Sequence, residues 1–145
     1  MSARVSRLVV AGVALALAVS GCAEVESTAE QGYEPSKLQA VKGSDVKQVT
    51  FTAEGAARTG LQTAPATRDR RFTVVPYAAL LYGPKGETYV YTSPAQLSYL
   101  RVEVEVRDVD GDRVVLANGP PAGTQVVTVG AAEVYGAELE IDGGH

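Results

Sequence analysis

Residues 101–107, "RVEVEVR", alternate charged and apolar side chains without exception, a period of two that only an extended strand uses to advantage. Val102, Val104 and Val106 belong to one face and Arg101, Glu103, Glu105 and Arg107 to the other, so the segment predicts a strand with one face on a core and one in water. The next six residues, "DVDGDR" at 108–113, place three aspartates around a glycine and admit two readings, a calcium loop or a hairpin tip. An EF-hand loop started at Asp108 would have acids at Asp110 and Asp112, but Arg113 falls where glycine is required and Gly119 where the bidentate glutamate is required. An arginine in that shell opposes the cation. The hairpin reading meets no such conflict. Asp110-Gly111 is a type I′ turn pair, and "DRVVLA" supplies the return strand. A two-residue turn there sets Val106 opposite Val115 and Asp108 opposite Arg113, whereas a three-residue loop would oppose Arg107 to Arg113.

The rest of the chain from Val46 has the same character, with short β-branched and aromatic runs separated by turn signals. "DVKQVTF" predicts a first strand. "TAEGAARTG" predicts a short helix capped by Thr52, with Glu54 in its positive first turn and Gly60 as terminator, although Gly55 lowers its helix propensity. "LQTAPAT" and "RFTVVPYAALLY" read as extended, with Pro65 and Pro76 at edges or bends. Between them "RDRR" reads as a solvated turn, with docking of an acidic partner by Arg68, Arg70 and Arg71 as the functional alternative. "GPKGETYVYT" predicts a turn at 83–86 and a strand that puts Tyr89 and Tyr91 on one face. Such a pair either covers a half-buried sheet or stacks a planar ligand. "NGPPAGTQVVTVGAAEVYGAELEI" adds a loop, a strand at Gln125 to Val129, and one or two turns of helix or an extended exit. The fold expected for residues 46–142 is a mainly β domain, a small barrel or roll with one or two short helices, followed by a disordered tail at 143–145.

The N-terminal 21 residues place Arg4 and Arg7 before an apolar run from Leu8 to Val19 and the small residues Ser20 and Gly21, the order of a signal peptide. The run is shorter than the roughly 20 residues a spanning helix needs. It ends in "VSGC", with the sole cysteine at Cys22, and this resembles the lipobox of bacterial lipoproteins. The resemblance implies that the thiol receives a diacylglyceryl group and becomes the acylated N-terminus after cleavage, an anchor of the two-chain kind that holds stably. Without it the chain would carry an ordinary secretory signal and an incidental cysteine. The expected location is the cell membrane, on its extracytoplasmic face, with membrane lipid contacted through Cys22. Residues 22–45 then read as the lipidated cysteine and a polar tether of about 25 Å root-mean-square span.

Cleavage would remove Arg4 and Arg7, lowering the Lys+Arg count from 13 to 11 against 17 Asp+Glu, a balance of −6. A surface of that sign is unsuited to nucleic acid. The one histidine is His145, the last residue, and no HExxH, CxxC, P-loop or GxGxxG pattern occurs. Neither catalytic residues, a metal site nor a cofactor is expected, and the chain reads as a non-enzyme.

In order along the chain, "TAEGAARTGLQTAPA" (52–66), "VPYAALLYGPKGETYVYT" (75–92) and "RVEVEVRDVDGDRVVLANGPPAGTQVVTVGAAEVYGAE" (101–138) resemble the periplasmic adaptors, or membrane fusion proteins, of tripartite efflux pumps, above all the heavy-metal resistance-nodulation-division group. The resemblance implies a fold like their membrane-proximal β domain. It also implies partners: a transporter permease or a full-length adaptor. The chain departs from the family in having only "TRDRRFT" where adaptors carry a lipoyl domain and a long helical hairpin, so it could not reach an outer-membrane channel. Met1 is the only methionine, which argues against the methionine-rich metal sites of the family's heavy-metal members. The expected function is an accessory adaptor-like lipoprotein of an extracytoplasmic transport or efflux system, with partner contacts at Asp108, Asp110, Gly111, Asp112, Arg113, Pro120 and Pro121. The alternative is a surface lipoprotein that binds a small solute or cell-wall glycan through Tyr89, Tyr91 and Tyr99.

Overall fold

The computed structural model describes residues 34–140. The signal peptide, Cys22 and the tail at 143–145 lie outside the described residues, as does the tether before residue 34.

The chain enters through strand β1 (Ser36–Ala40), which pairs antiparallel with β2 (Lys47–Phe51). This corrects the expectation that the tether runs to residue 45. "SKLQA" has no apolar alternation strong enough to announce a strand, but Leu38 packs on the core and Ser36 is buried, so pairing with β2 supplies what propensity does not. Helix α1 (Ala53–Thr59) comes next, as its caps dictate: Thr52 Oγ1 accepts from the Gly55 N–H at 2.9 Å, and Gly60 closes the helix at φ 64°. Gly55 has a packing reason. A Cβ there would stand 2.4 Å from the Pro35 carbonyl oxygen.

Strands β3 (Gln62–Pro65) and β4 (Thr67–Asp69) are joined through the buried Ala66, and β5 (Phe72–Pro76) pairs back on β4. Residues 77–79 form a single 3₁₀ turn where an extended course was expected, because Pro76 ends β5 and the turn drops Ala79 and Leu80 into the core. Then come β6 (Leu81–Tyr82), β7 (Thr88–Ala95), the long β8 (Ser98–Asp110), β9 (Arg113–Asn118), β10 (Gln125–Val129) and helix α2 (Ala131–Glu140).

The main path of the sheet is β3-β10-β7-β8-β9-β5-β4, with β1 and β2 added on β8 and β6 on β7. Since β3 and β4 are successive pieces of one segment, the path returns on itself as a nearly closed barrel. The edges that remain are short strands, β3 and β4 at the ends of the path and β1 and β6 beside it, which limits intermolecular pairing.

Alternation on the barrel strands feeds two separate cores. Val90, Val104, Val114, Leu116 and Val126 fill the barrel with Ala66, Val75, Ala79 and Leu80. Their sequence neighbours Tyr91 and Val127 point the other way, into a second cluster with Val49, Phe51, Tyr99, Ala131 and Val134, covered by α2. Strand β7 is therefore buried on both faces in its middle, and Val90 and Tyr91 are both fully buried.

Candidate functional site

The turn that ends β8 differs from expectation by one residue. Asp110 pairs with Arg113, so Gly111 and Asp112 form the tip, and Asp108 lies opposite Val115 rather than Arg113. Gly111 takes φ 61° while Asp112 is not in the positive-φ region, the order of a type II′ turn with glycine first. The register shifts at Val106 and again between Val106 and Asp108, leaving Arg107 as the extra residue of a bulge. The shift sets Val106 opposite Leu116, which is the side chain of β9 that most needs burial.

Arg113, freed from Asp108, bonds Asp69 Oδ2 at 3.2 Å across from β4. That ion pair joins the hairpin tip to the turn Arg70-Arg71 between β4 and β5, where Asp69 faces Phe72. The Tyr77 N–H donates to the Asp112 carbonyl at 2.7 Å, fixing the tip from the other side. Asp108, Asp110, Gly111, Asp112 and Arg113 are all exposed. The structure thus gathers the tip residues and the "RDRR" turn into one surface. It does not add the proline loop: Pro120 is buried, Pro121 is exposed, and both come after Asn118 at the other end of β9.

Tyr89, Tyr91 and Tyr99 do not form an open aromatic platform. Tyr99 is buried edge-on against Phe51, ring centroids 5.9 Å apart. Tyr91 is buried and its phenol donates to Glu138 Oε2. Tyr89 is half-buried with the Arg101 guanidinium 4.8 Å from its ring centroid. Burial, reinforced by the hydrogen bond to Glu138, pushes the Tyr91 phenol far above its ordinary pKa; burial also raises Tyr99. Tyr89 is raised as well, by desolvation first and then by the negative charge of Glu87.

Arg101 corrects a second expectation. Alternation places it on the solvent face of β8, yet its side chain is only 16% exposed, because Glu138 and Tyr135 of α2 lie against it. Its Nη2 donates to Glu138 Oε1 at 3.0 Å, and Tyr135 of α2 lies 5.6 Å from its guanidinium centre. The Lys47 N–H also donates to Glu138 Oε1 at 3.3 Å. Tyr91, Arg101 and Glu138 are a polar lock between sheet and helix. Sequence reasoning missed it. The only signal was a pair of glutamates, Glu138 and Glu140, in the otherwise apolar "YGAELEI", too short a pattern to reveal which face is buried.

Among the described residues, no three His, Cys, Asp or Glu side chains are placed to hold a metal ion, and no helix is long and apolar enough to cross a membrane. The arrangement is a filled β barrel whose chemistry lies in charged groups at one end. Comparison with known proteins finds no matching family model, no matching curated protein and no matching solved structure.

Proposed function

We propose that the chain is a non-enzymatic lipoprotein, anchored through Cys22 on the extracytoplasmic face of the cell membrane, that serves as an accessory module of a transport or efflux system. The observation that carries this reading is the direction of β8. At its start the Leu97 carbonyl accepts from the Phe51 N–H at 2.9 Å, and Thr52 bonds the Pro35 carbonyl, so the chain enters the domain at this end. The strand then runs from Ser98 to Asp110, a path of about 40 Å at roughly 3.3 Å per residue. The hairpin tip and the "RDRR" turn lie toward the end of β8 away from the chain's entry, where the exposed tip residues are open to a partner. The likeness of segments 52–66, 75–92 and 101–138 to efflux adaptors supplies the class of partner, a permease or a full-length adaptor.

Solute binding by the three tyrosines has less support, since Tyr91 and Tyr99 would have to leave the core to stack a ligand.

The test is cross-linking in native membranes, purification through a tag after His145, and mass spectrometry of the product. Recovery of a permease or an adaptor with the wild type, lost in a Cys22→Ser variant that no longer fractionates with membranes, is the expected result. Recovery of the acylated chain alone would sink the accessory role.

A further inference from the structure

We propose that Arg70, Arg71 and Arg107, grouped around Phe72, form a docking site for a carboxylate-rich segment of a protein partner; Arg68, which pairs with Thr73 on the other face of β4, is not part of it. The inference rests on the accessory-module reading and deepens it by naming the surface and its chemistry.

Ion pairing separates these three arginines from Arg58, Arg101 and Arg113. Arg58 holds Glu54, Arg101 holds Glu138 and Arg113 holds Asp69. Arg70, Arg71 and Arg107 are exposed and hold no carboxylate among the described residues. In a chain with more acid than base, three unanswered guanidiniums beside one ring are a departure from the average charge.

Two of them converge on one ring. The guanidinium carbon of Arg71 lies 5.0 Å from the Phe72 centroid and that of Arg107 lies 4.6 Å away. Arg71 comes from the turn before β5 and Arg107 from β8, where it is the residue the bulge leaves without a cross-strand partner. Packing two like charges against one ring raises their mutual repulsion, which a bound anion relieves. Contact with the ring also restrains each planar group while leaving N–H donors for a carboxylate. Arg70 adds a local conflict. It takes φ 54°, a conformation that glycine or asparagine adopts more readily.

Arg70, Phe72 and Arg107 line a cleft of about 330 Å³ together with Asp69, Asp108 and Val115. Its two aspartates decide between anionic partners. A broad anionic surface such as a bilayer would press against Asp69 and Asp108 as much as against the arginines. A peptide segment can place its carboxylates on the guanidiniums and avoid both. The cleft also lies toward the end of β8 away from the chain's entry.

The experiment uses the full acylated chain in phosphatidylcholine nanodiscs and a fluorescein-labelled decaglutamate peptide, with binding read by anisotropy at low salt. The expected result is saturable binding, weakened about tenfold or more by Arg71→Gln/Arg107→Gln, weakened less by Arg71→Lys/Arg107→Lys, and unchanged by Arg58→Gln. Circular dichroism melts confirm that the variants fold. Absence of saturable binding, or equal binding by Arg71→Gln/Arg107→Gln, would overturn the proposal. So would amide-exchange protection of 67–73 in phosphatidylglycerol nanodiscs without peptide, which would assign the surface to lipid. If a permease co-purifies equally with wild type and the double glutamine variant, the docking site is wrong and the accessory role stands. If decaglutamate binding depends on Arg71 and Arg107 but no permease is recovered, the accessory role fails and the site stands.

Discussion

Tyr91 and Glu138, 47 positions apart, share a buried hydrogen bond that ties α2 to the centre of β7. The other carboxylate oxygen of Glu138 takes Arg101, so one acidic side chain answers a phenol and a guanidinium at once. Removing Glu138 leaves a largely buried cation, whereas removing the phenol leaves the ion pair intact. Glu138→Ala should therefore destabilise the domain by about 3–5 kcal/mol, and Tyr91→Phe by about 1–2 kcal/mol. Replacing the ion pair with apolar side chains, as in Arg101→Leu/Glu138→Leu, should cost less than Glu138→Ala alone. Urea titrations of the variants measure all three. An equal loss for Tyr91→Phe and Glu138→Ala would show that the arginine is not held by the carboxylate in solution.

Burial and Glu138 together hold the Tyr91 phenol protonated well above the usual tyrosine range. In the unfolded chain that tyrosine releases its proton near about pH 10. Above this pH the unfolded state binds fewer protons than the folded state, so stability falls as pH rises. The contribution is fully present below about pH 10 and diminishes by at most about 1.4 kcal/mol per pH unit above it. The raised Tyr99 adds in the same direction. Urea midpoints followed from about pH 8 to about pH 11, a window that brackets the unfolded tyrosine value, should fall more steeply for wild type than for Tyr91→Phe. Parallel slopes would remove Tyr91 as the source.

Helix α1, β10 and the strand character of β7 and β8 are visible in the sequence because caps and alternation are local signals. Thr52 and Gly60 bracket α1 without reference to the rest of the fold. The misplaced features all depend on partners remote in sequence. Strand β1 exists because β2 is beside it, the bulge at Arg107 because Leu116 must face inward, and the burial of Arg101 because Glu138 and Tyr135 of α2 lie against it. The candidate site shares this division. Its individual residues, from Asp108 to Arg113 and from Arg68 to Arg71, stand out as charged turns, but the ion pair between Arg113 and Asp69 and the meeting of Arg71 with Arg107 at Phe72 come from the pairing of β4, β5, β9 and β8.

Gly55 tests whether the entry strand belongs to the domain. On propensity alone, alanine in a helix interior gains up to about 1 kcal/mol over glycine. Here its Cβ would meet the Pro35 carbonyl oxygen at 2.4 Å, a backbone atom that accepts from both the Thr52 N–H and its hydroxyl. Gly55→Ala should therefore destabilise the domain and speed amide exchange at Thr52, while a helix peptide of residues 52–60 gains helicity from the same change. Stabilisation of the whole domain by Gly55→Ala would mean that Pro35 is not docked on α1.

Arg70 sets stability against binding at a single position. Its φ of 54° costs a residue with a Cβ roughly 1–2 kcal/mol relative to an ordinary conformation, and glycine avoids that cost. Glycine also gives the unfolded chain more freedom, so the net gain for Arg70→Gly should be about 0.5–1 kcal/mol. For a domain of this size that raises the melting midpoint by about 2–8 °C. The same change deletes one of the three unanswered guanidiniums and should weaken decaglutamate binding several-fold, with a shallower dependence of affinity on salt. Arg70→Lys separates the two effects, since it retains the charge and the unfavourable backbone and should alter the melting point little. A variant Arg70→Gly that gains stability with undiminished peptide affinity would show that the turn's conformation is unrelated to docking and would remove Arg70 from the proposed site.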